Sequence, residues 1–377
     1  MTSHTEISLH DIRERTERAL SILKASSTVP LEIARREALR KEWKDLAPGR
    51  SPVGKMIEYF TMEWLNGHQL YALGPAVMSL SCEAVGGDPA ETASIAAVIT
   101  LMGGGAEILD DVIDNSQAKN SRLTVFGKFG SSMAILAGSM YLVKGFALLN
   151  RTFLERNYLY SKAASVNDAI VQAIFEHANA ECLALKLKKC SNPKPDKYIE
   201  IIKMRSAVIE AQARIGVVLG GGNNGQVEAL GKYGRILGTL SLMRRELADT
   251  FEIHEAHHRI FNECPPLPLL YAFESPIAKK KLMRLIRKDR PTGKDVNVLA
   301  DIVFETRKVR KMIENMKKMV KEANASIAEF KSESVESLKL LTWLTICDLE
   351  HDDATRPLSS IRRNAEEKHE SREKTLC

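Results

Sequence analysis

Residues 107–116 (EILDDVIDNS) constrain this chain more than any other stretch. They follow an apolar run, residues 95–105, whose pattern predicts a helix, so Asp110 and Asp114 lie on one face of its C-terminal end. Two stacked carboxylates repel each other unless a cation lies between them. Oxygen ligands without a nearby His or Cys suit Mg²⁺, which keeps several waters and completes its shell with substrate phosphates. An acidic helix end that faces solvent is the alternative, and the pattern alone leaves both open.

The composition narrows the classes of protein that fit. The chain has 377 residues, 44% hydrophobic and 27% charged, and strand signals are scarce, so we expect a soluble, all-α protein. Its apolar stretches, residues 73–84, 95–102 and 133–149, are interrupted by Gly, Ser, Glu or Lys and fall short of a clean membrane span. No secretory signal is visible, which predicts a cytoplasmic protein. The six cysteines form no CxxC pair and are expected to be reduced.

The net charge of +6 comes largely from the C-terminal third. Residues 307–321 interleave basic and apolar side chains at helical spacing, which is typical of a helix with one solvated face. Peripheral contact with an anionic membrane surface is the alternative for this segment. No motif supports nucleic-acid binding, so we expect none.

The order of polar and apolar segments predicts three regions. Residues 1–50 resemble two polar amphipathic helices, at about 8–24 and 30–46, which would form an N-terminal helical layer. Residues 51–350 hold the apolar helices and the acidic stretch in one helical domain. Residues 351–377 lack apolar periodicity and are expected to form a mobile charged tail.

Several motifs around the acidic stretch occur in a distinctive order. An apolar helix opens at Pro75 and ends in EAVGG (83–87), a second helix ends in the aspartates, and Thr124-Val, Phe129-Gly and AILAG (134–138) follow. This order resembles the trans-isoprenyl diphosphate synthases of the polyprenyl synthetase family over about residues 55–275. The resemblance implies the class I terpenoid synthase fold, a single-domain, all-α helical bundle around a central cavity. It also implies a homodimer, or a heterodimer with a related synthase.

The chemistry implied by this resemblance is the ionisation of an allylic prenyl diphosphate. Mg²⁺ ions bridged by the aspartates would neutralise the leaving diphosphate, and basic side chains would stabilise the developing charge. No protein nucleophile is required, and the apolar helices would shelter the carbocation from water. The catalytic residues implied by the comparison are Asp110, Asp111, Asp114, Arg205 and Arg245.

The two substrate sites of the family are retained unequally. Where the family has GGKRLRP to grip isopentenyl diphosphate, this chain has QLYALGP (69–75), without a basic residue. Two family arginines that follow the first aspartate motif correspond to Lys119, on the allylic side, and Asn120, on the isopentenyl side. The Lys-Thr or Lys-Ser pair of the family corresponds to Arg205-Ser206, whose guanidinium suits a diphosphate.

The second aspartate motif has diverged most. Arg245 replaces its first Asp and Glu246 its second, whereas Asp249 is unchanged. The resemblance implies diphosphate binding by Arg244 and Arg245, and metal binding by Glu246 and Asp249 beside the first motif. The Arg245 guanidinium either replaces the charge of a missing metal ion or pairs with the first motif and leaves the cleft empty. Glu181, at the position of a family glutamine, adds a further carboxylate.

Small residues precede the first aspartate motif where bulky residues close the prenyl tunnel in this family. These positions are Gly103, Gly104, Gly105 and Ala106. The resulting space would admit a prenyl chain of roughly twenty carbons or more. Close helix packing is the alternative explanation for glycines, each of which destabilises a helix by about 1 kcal/mol relative to alanine.

Three functions are compatible with these residues. The selective loss of basic residues favours a Mg²⁺-dependent enzyme that ionises a long prenyl diphosphate and transfers the prenyl group to an acceptor other than isopentenyl diphosphate, or cyclises it as a class I terpene synthase. Aromatic residues make up only 6% of the chain, which favours transfer. The alternatives are a non-catalytic subunit that modulates a partner prenyl diphosphate synthase, and an ordinary chain-elongating synthase.

Overall fold

The computed structural model describes residues 9–40, 51–65, 72–119, 122–190, 192–288 and 291–349. Within these ranges nearly all of the chain is helical, and the only strands are β1 (Ala118–Lys119) and β2 (Arg122–Leu123), which pair antiparallel. The predicted all-α fold is therefore confirmed. The helices of the first half are α1 (Leu9–Leu39), α2 (Pro52–Leu65), α3 (Leu73–Ala84), α4 (Ala93–Ile113), α5 (Val125–Phe129), α6 (Ser131–Glu155) and α7 (Tyr160–Lys188), with a 3₁₀ turn at Pro89–Thr92.

The second half surrounds one long central helix, α10, which buries apolar residues along most of its length. Its helices are α8 (Pro195–Arg205), α9 (Ala207–Leu219), α10 (Asn224–Phe251), α11 (Ile253–Asn262), α12 (Leu267–Phe273), α13 (Pro276–Ile286), α14 (Gly293–Glu305), α15 (Arg307–Ser326) and α16 (Glu333–Leu344), followed by a 3₁₀ turn at Cys347–Leu349.

Helices α3 and α9 join the two halves into one bundle. Met78 of α3 and Ile215 of α9 belong to the apolar cluster of the first half, while Val77 and Val217, on the same helices, belong to that of the second half. The two helices approach closely, because a Cβ atom on Gly216 would lie 2.2 Å from the Met78 carbonyl oxygen. The predicted single-domain bundle agrees with this shared packing.

The N-terminal segment differs from the prediction of two helices. Residues 9–39 form the single helix α1, which continues through Pro30. An interior proline costs about 3 kcal/mol in an isolated helix. Here Pro30 belongs to a buried stripe that also includes Leu23, Ala34 and Ala38, so packing outweighs the lost hydrogen bond. Helix α1 packs on α2, α3, α4 and α16 and is part of the bundle, while residues 41–50 and the predicted tail, 351–377, lie outside the described residues.

Two helical segments are long and apolar enough to span a membrane, Pro89–Ile113 and α6. Length and composition alone select them, and α4 and α6 pack against each other as core helices of a soluble protein do. Helix α15 buries its apolar stripe, which includes Val309, Met312 and Met316, so its basic residues form a solvated face. It therefore offers no free apolar face to a bilayer.

Candidate functional site

The first aspartate motif lies in the last turn of α4, and the local sequence fixes the end of this helix. Asn115 adopts a left-handed conformation with φ of 55°, which asparagine tolerates better than most residues. The Ser116 amide donates to the Asp111 carbonyl at 2.8 Å and the Asn115 amide to the Val112 carbonyl at 3.4 Å, which closes a Schellman turn. The carboxylates of this turn therefore lie at the negative end of the helix dipole, where a cation is favoured.

Asp114 faces a pocket in which carboxylates outnumber cations. The pocket is also lined by Glu181 of α7, Arg205 of α8 and Glu263, which follows α11. Burial, followed by the charges of Asp110, Glu263 and Glu181, raises the pKa of Asp114 to about 8, and the charge of Arg205 counteracts this. This excess of negative charge is the electrostatic environment expected of a cation site.

Arg205 and Lys119, both predicted to bind diphosphate, are brought to this cleft with carboxylate partners. Arg205 donates to both carboxylate oxygens of Glu181, at 2.7 and 2.6 Å. Lys119 of β1 lies 2.7 Å from the buried Asp111 carboxylate. Burial raises the pKa of Asp111 to about 6, although the adjacent ammonium counteracts this. Asp111 thus anchors Lys119, whereas Asp110 and Asp114 remain the carboxylates on the cation side.

The two carboxylates of the second motif accept hydrogen bonds from a residue to which the sequence analysis gave no role. Arg259 of α11 donates to Glu246 at 3.1 and 3.2 Å and to Asp249 at 2.8 Å. Glu246 also accepts from the Tyr198 hydroxyl at 2.9 Å and from the Leu267 amide at 2.8 Å. The side chains of Arg259 and Glu246 are only 5% and 8% exposed, so this is a buried ion-pair centre. Only the general rule that buried charges are paired could have indicated such a partner.

The adjacent residues Arg244 and Arg245 point in different directions. Arg244 donates to the Leu344 carbonyl at 3.0 Å and contacts Cys347, so it links α10 to the segment at the end of α16. These contacts lie toward α16 and give no support to its predicted role in diphosphate binding, which stays a prediction. Arg245 is solvent-accessible and is influenced by Asp249 and by Glu107 of α4.

The glycines before the aspartates contribute to close packing between α4 and α6. A Cβ atom on Gly105 would lie 2.7 Å from the Gly138 carbonyl oxygen, and one on Gly138 would lie 2.9 Å from the Gly105 carbonyl oxygen. Helix packing therefore accounts for Gly105. Gly103 is exposed and a Cβ atom there would meet nothing, while Gly104 is buried and Ala106 is half-buried. A prenyl tunnel along Gly104 and Ala106 stays a prediction.

The cleft fits a hard divalent cation at the first motif. Asp110 and Asp114 supply oxygen ligands in an excess of negative charge, and no set of three or more His, Cys, Asp or Glu side chains within the described ranges converges on one point. Two carboxylates suit Mg²⁺, which usually takes its remaining ligands from water and phosphate. At the second motif, Arg259 already occupies oxygens of both Glu246 and Asp249, so these two carboxylates fit a metal ion poorly.

Cation binding is expected to tighten as the pH rises. Because the folded-state pKa of Asp114 is raised to about 8, its proton must leave before the carboxylate can bind a cation. By the same linkage, this group stabilises the cation-free fold most below its ordinary pKa and loses that contribution as the pH rises through about 8. Mg²⁺ affinity measured calorimetrically should therefore rise about tenfold per pH unit below 8. An affinity that stays constant between pH 6 and 8 would contradict this assignment.

The fold and this site define a class of protein, an all-α bundle with paired aspartates at the end of a core helix facing a cleft that also contains basic side chains. The sequence profile of the family described as Polyprenyl synthetase matches residues 71–303, which is more than half of the chain. The protein therefore belongs to the polyprenyl synthetase family.

Curated relatives and solved structures are similar to this chain. A short chain isoprenyl diphosphate synthase of Methanothermobacter thermautotrophicus is 27% identical over 230 residues, covering 61% of this chain and 66% of that protein. A geranylgeranyl diphosphate synthase of Methanosarcina mazei is 28% identical over 167 residues, covering 44% and 50%. The crystal structure of geranylgeranyl pyrophosphate synthetase from Pyrococcus horikoshii superposes with a TM-score of 0.72 at 23% identity, covering 87% of this chain and 98% of that one. The aligned segments span about half to two thirds of these two curated relatives.

Proposed function

We propose that this protein is a magnesium-dependent prenyltransferase that acts on an allylic prenyl diphosphate and elongates it with isopentenyl diphosphate. The observation that carries the proposal is the position of Asp110 and Asp114 at the end of α4, near Arg205. The names of the relatives, short chain isoprenyl and geranylgeranyl diphosphate synthases, support prenyl diphosphate chemistry and favour chain elongation over other outcomes.

When bound, Mg²⁺ would neutralise the diphosphate and so favour its departure. Asp110 and Asp114 would hold the ion, and Arg205 would stabilise the leaving charge once phosphate competes with Glu181 for its guanidinium. Burial of the prenyl chain among apolar side chains would exclude water from the prenyl cation. A soluble, cytoplasmic location is part of this proposal.

A second candidate, an enzyme that ionises the allylic diphosphate and uses another acceptor or cyclises the chain, rests on the missing basic residues. Residues 69–75 contain no Lys or Arg, and Asn120 takes the place of an arginine. A second diphosphate without opposing cations would be unfavourable to bury. Residues 66–71 and 120–121 lie outside the described part of the chain, so this argument comes from the sequence alone.

One experiment separates these functions. The purified protein is incubated with Mg²⁺ and dimethylallyl, geranyl, farnesyl or geranylgeranyl diphosphate, with and without labelled isopentenyl diphosphate, and diphosphate release and products are measured. Label in a longer prenyl diphosphate supports elongation, and release without isopentenyl diphosphate supports the second candidate. No release in either condition, with activity appearing only when a related synthase is added, would instead indicate a modulating subunit.

We also propose that α6 mediates homodimerisation. Its outer side exposes Ile135, Leu136, Val143 and Phe146, which are 46%, 53%, 50% and 41% accessible. Leu136, Val143 and Phe146 recur at helical spacing, and exposed apolar residues grouped on one helix face are typical of a protein interface. A second copy of the chain would cover this face.

We expect light scattering after size-exclusion chromatography to give twice the chain mass of 42.0 kDa. The double variant Leu136→Glu/Val143→Glu should give one chain mass, because charges would be buried at the interface. Ile277→Glu, which adds charge at an exposed apolar residue of α13, is the matched control and should remain dimeric. A wild-type monomer would contradict the homodimer and leave a heterodimer with a related synthase to be tested by co-expression.

A further inference from the structure

The positive charges around the second motif are divided between two arginines with different surroundings. Arg259 is already paired, because it binds Glu246 and Asp249, donates to the Tyr198 hydroxyl at 2.5 Å, and has its Nε 3.4 Å from Glu263. Arg245 makes no hydrogen bond and no ion pair with any residue of the described ranges, although it lies one turn before Asp249 on the same helix. The Arg259 guanidinium thus binds the two carboxylates, and the Arg245 guanidinium remains available to bind a ligand.

Arg245 belongs to a segment of α10 that adjoins the cleft of the first motif. It is solvent-accessible, and the groups that influence it electrostatically are Asp249 on its own helix, Glu107 on α4, and Glu255 and Arg259 on α11. Glu107 lies three residues before Asp110. The second motif adjoins the pocket that Asp114 lines, because Tyr198, whose hydroxyl donates to Glu246 at 2.9 Å, is also a residue of that pocket.

We propose that Arg245 binds the diphosphate of the allylic substrate directly, in place of metal ions held at the second motif, while Arg259 pairs with Glu246 and Asp249. The cleft then binds divalent cations only on the Asp110 and Asp114 side. This inference rests on the proposed use of a prenyl diphosphate. A guanidinium can bind two phosphate oxygens at once, and its charge does not depend on a metal ion.

A consequence follows for binding without metal. If a fixed guanidinium supplies part of the positive charge that binds the diphosphate, that part of the affinity for diphosphate is retained when a chelator removes the metal. If the second motif held metal ions, removal of metal would leave Glu246 and Asp249 facing the diphosphate, and binding would be lost.

The test is calorimetric binding of inorganic diphosphate to the full chain, with EDTA or with Mg²⁺. We expect wild-type protein to bind in EDTA and Arg245→Gln to bind at least about tenfold more weakly, the loss expected for one charge-assisted contact. Lys232→Gln is the matched control, because it removes one positive charge from the same helix where Lys232 pairs with Glu322 at the surface. This variant should bind like wild type. Binding that requires metal, or that is unchanged in Arg245→Gln, would overturn the proposal.

Mn²⁺ binding, followed by electron paramagnetic resonance in the presence of inorganic diphosphate, provides a second readout. Asp249→Asn should leave the number of bound Mn²⁺ ions unchanged, whereas Asp110→Asn should lower it. Fewer bound Mn²⁺ ions in Asp249→Asn than in wild type would refute the proposal that metal binds only on the Asp110 and Asp114 side. These binding assays do not require turnover. If diphosphate binds in EDTA but the protein shows no prenyltransferase activity, the proposed function alone is refuted. If the protein turns over substrate but binds diphosphate only with metal, this inference alone is refuted.

Discussion

Replacing Asp110 with asparagine is expected to reduce diphosphate release from an allylic prenyl diphosphate by about 10²–10³-fold, the range seen when one electrostatic contact to the transition state is lost. Asp110 and Asp114 are the carboxylates of the first motif that lie on the cation side, because Asp111 is paired with Lys119 at 2.7 Å. With only one carboxylate left, the site holds Mg²⁺ weakly, and the leaving diphosphate is not neutralised. Steady-state release of diphosphate at saturating Mg²⁺ measures the loss.

Two further variants make this result specific. Asp111→Asn is expected to impair release less than Asp110→Asn, because the Asp111 carboxylate holds Lys119 rather than the cation. Glu329→Gln removes an exposed carboxylate beyond the end of α15 and should leave release unchanged. Activity of Asp110→Asn within a few-fold of wild type would show that the first motif is not the ionising centre.

Replacing Arg259 with methionine is expected to lower the free energy of unfolding by about 3–5 kcal/mol, the range found when one member of a buried ion pair is removed. The substitution leaves Glu246 and Asp249 without their counter-charge, and Glu246 is nearly inaccessible to water. Methionine has a similar length, so loss of charge rather than loss of volume dominates. Urea unfolding followed by circular dichroism gives the change.

A double variant distinguishes charge from packing. Arg259→Met/Glu246→Gln removes the buried charges of both partners and should recover part of the stability lost in Arg259→Met, because glutamine is far cheaper to bury than an unpaired carboxylate. Arg310→Met, at an exposed position of α15, is the control and should change stability by at most about 0.5 kcal/mol. A loss below about 1 kcal/mol in Arg259→Met would indicate that the centre is not a stabilising ion-pair network.

The two halves of the cleft differ in how far the sequence predicted them. Asp110 and Asp114 were predicted to share a face of one helix, and they lie in the final turn of α4 and at its C-cap. The all-α fold and the polyprenyl synthetase family also followed from motif order. For Glu246 and Asp249 the sequence predicted a metal site, whereas both are bound to Arg259, which belongs to a different helix.

The sequence by itself determined the features that depend on local backbone geometry. The period of the helix puts Asp110 and Asp114 together, and the tolerance of Asn115 for a left-handed conformation ends the helix there. Tertiary structure alone decided that Arg205 pairs with Glu181, that Arg259 closes the second motif and that α1 continues through Pro30. Such contacts join residues on different helices or depend on burial by other helices, and their energies arise only when packing removes the groups from water.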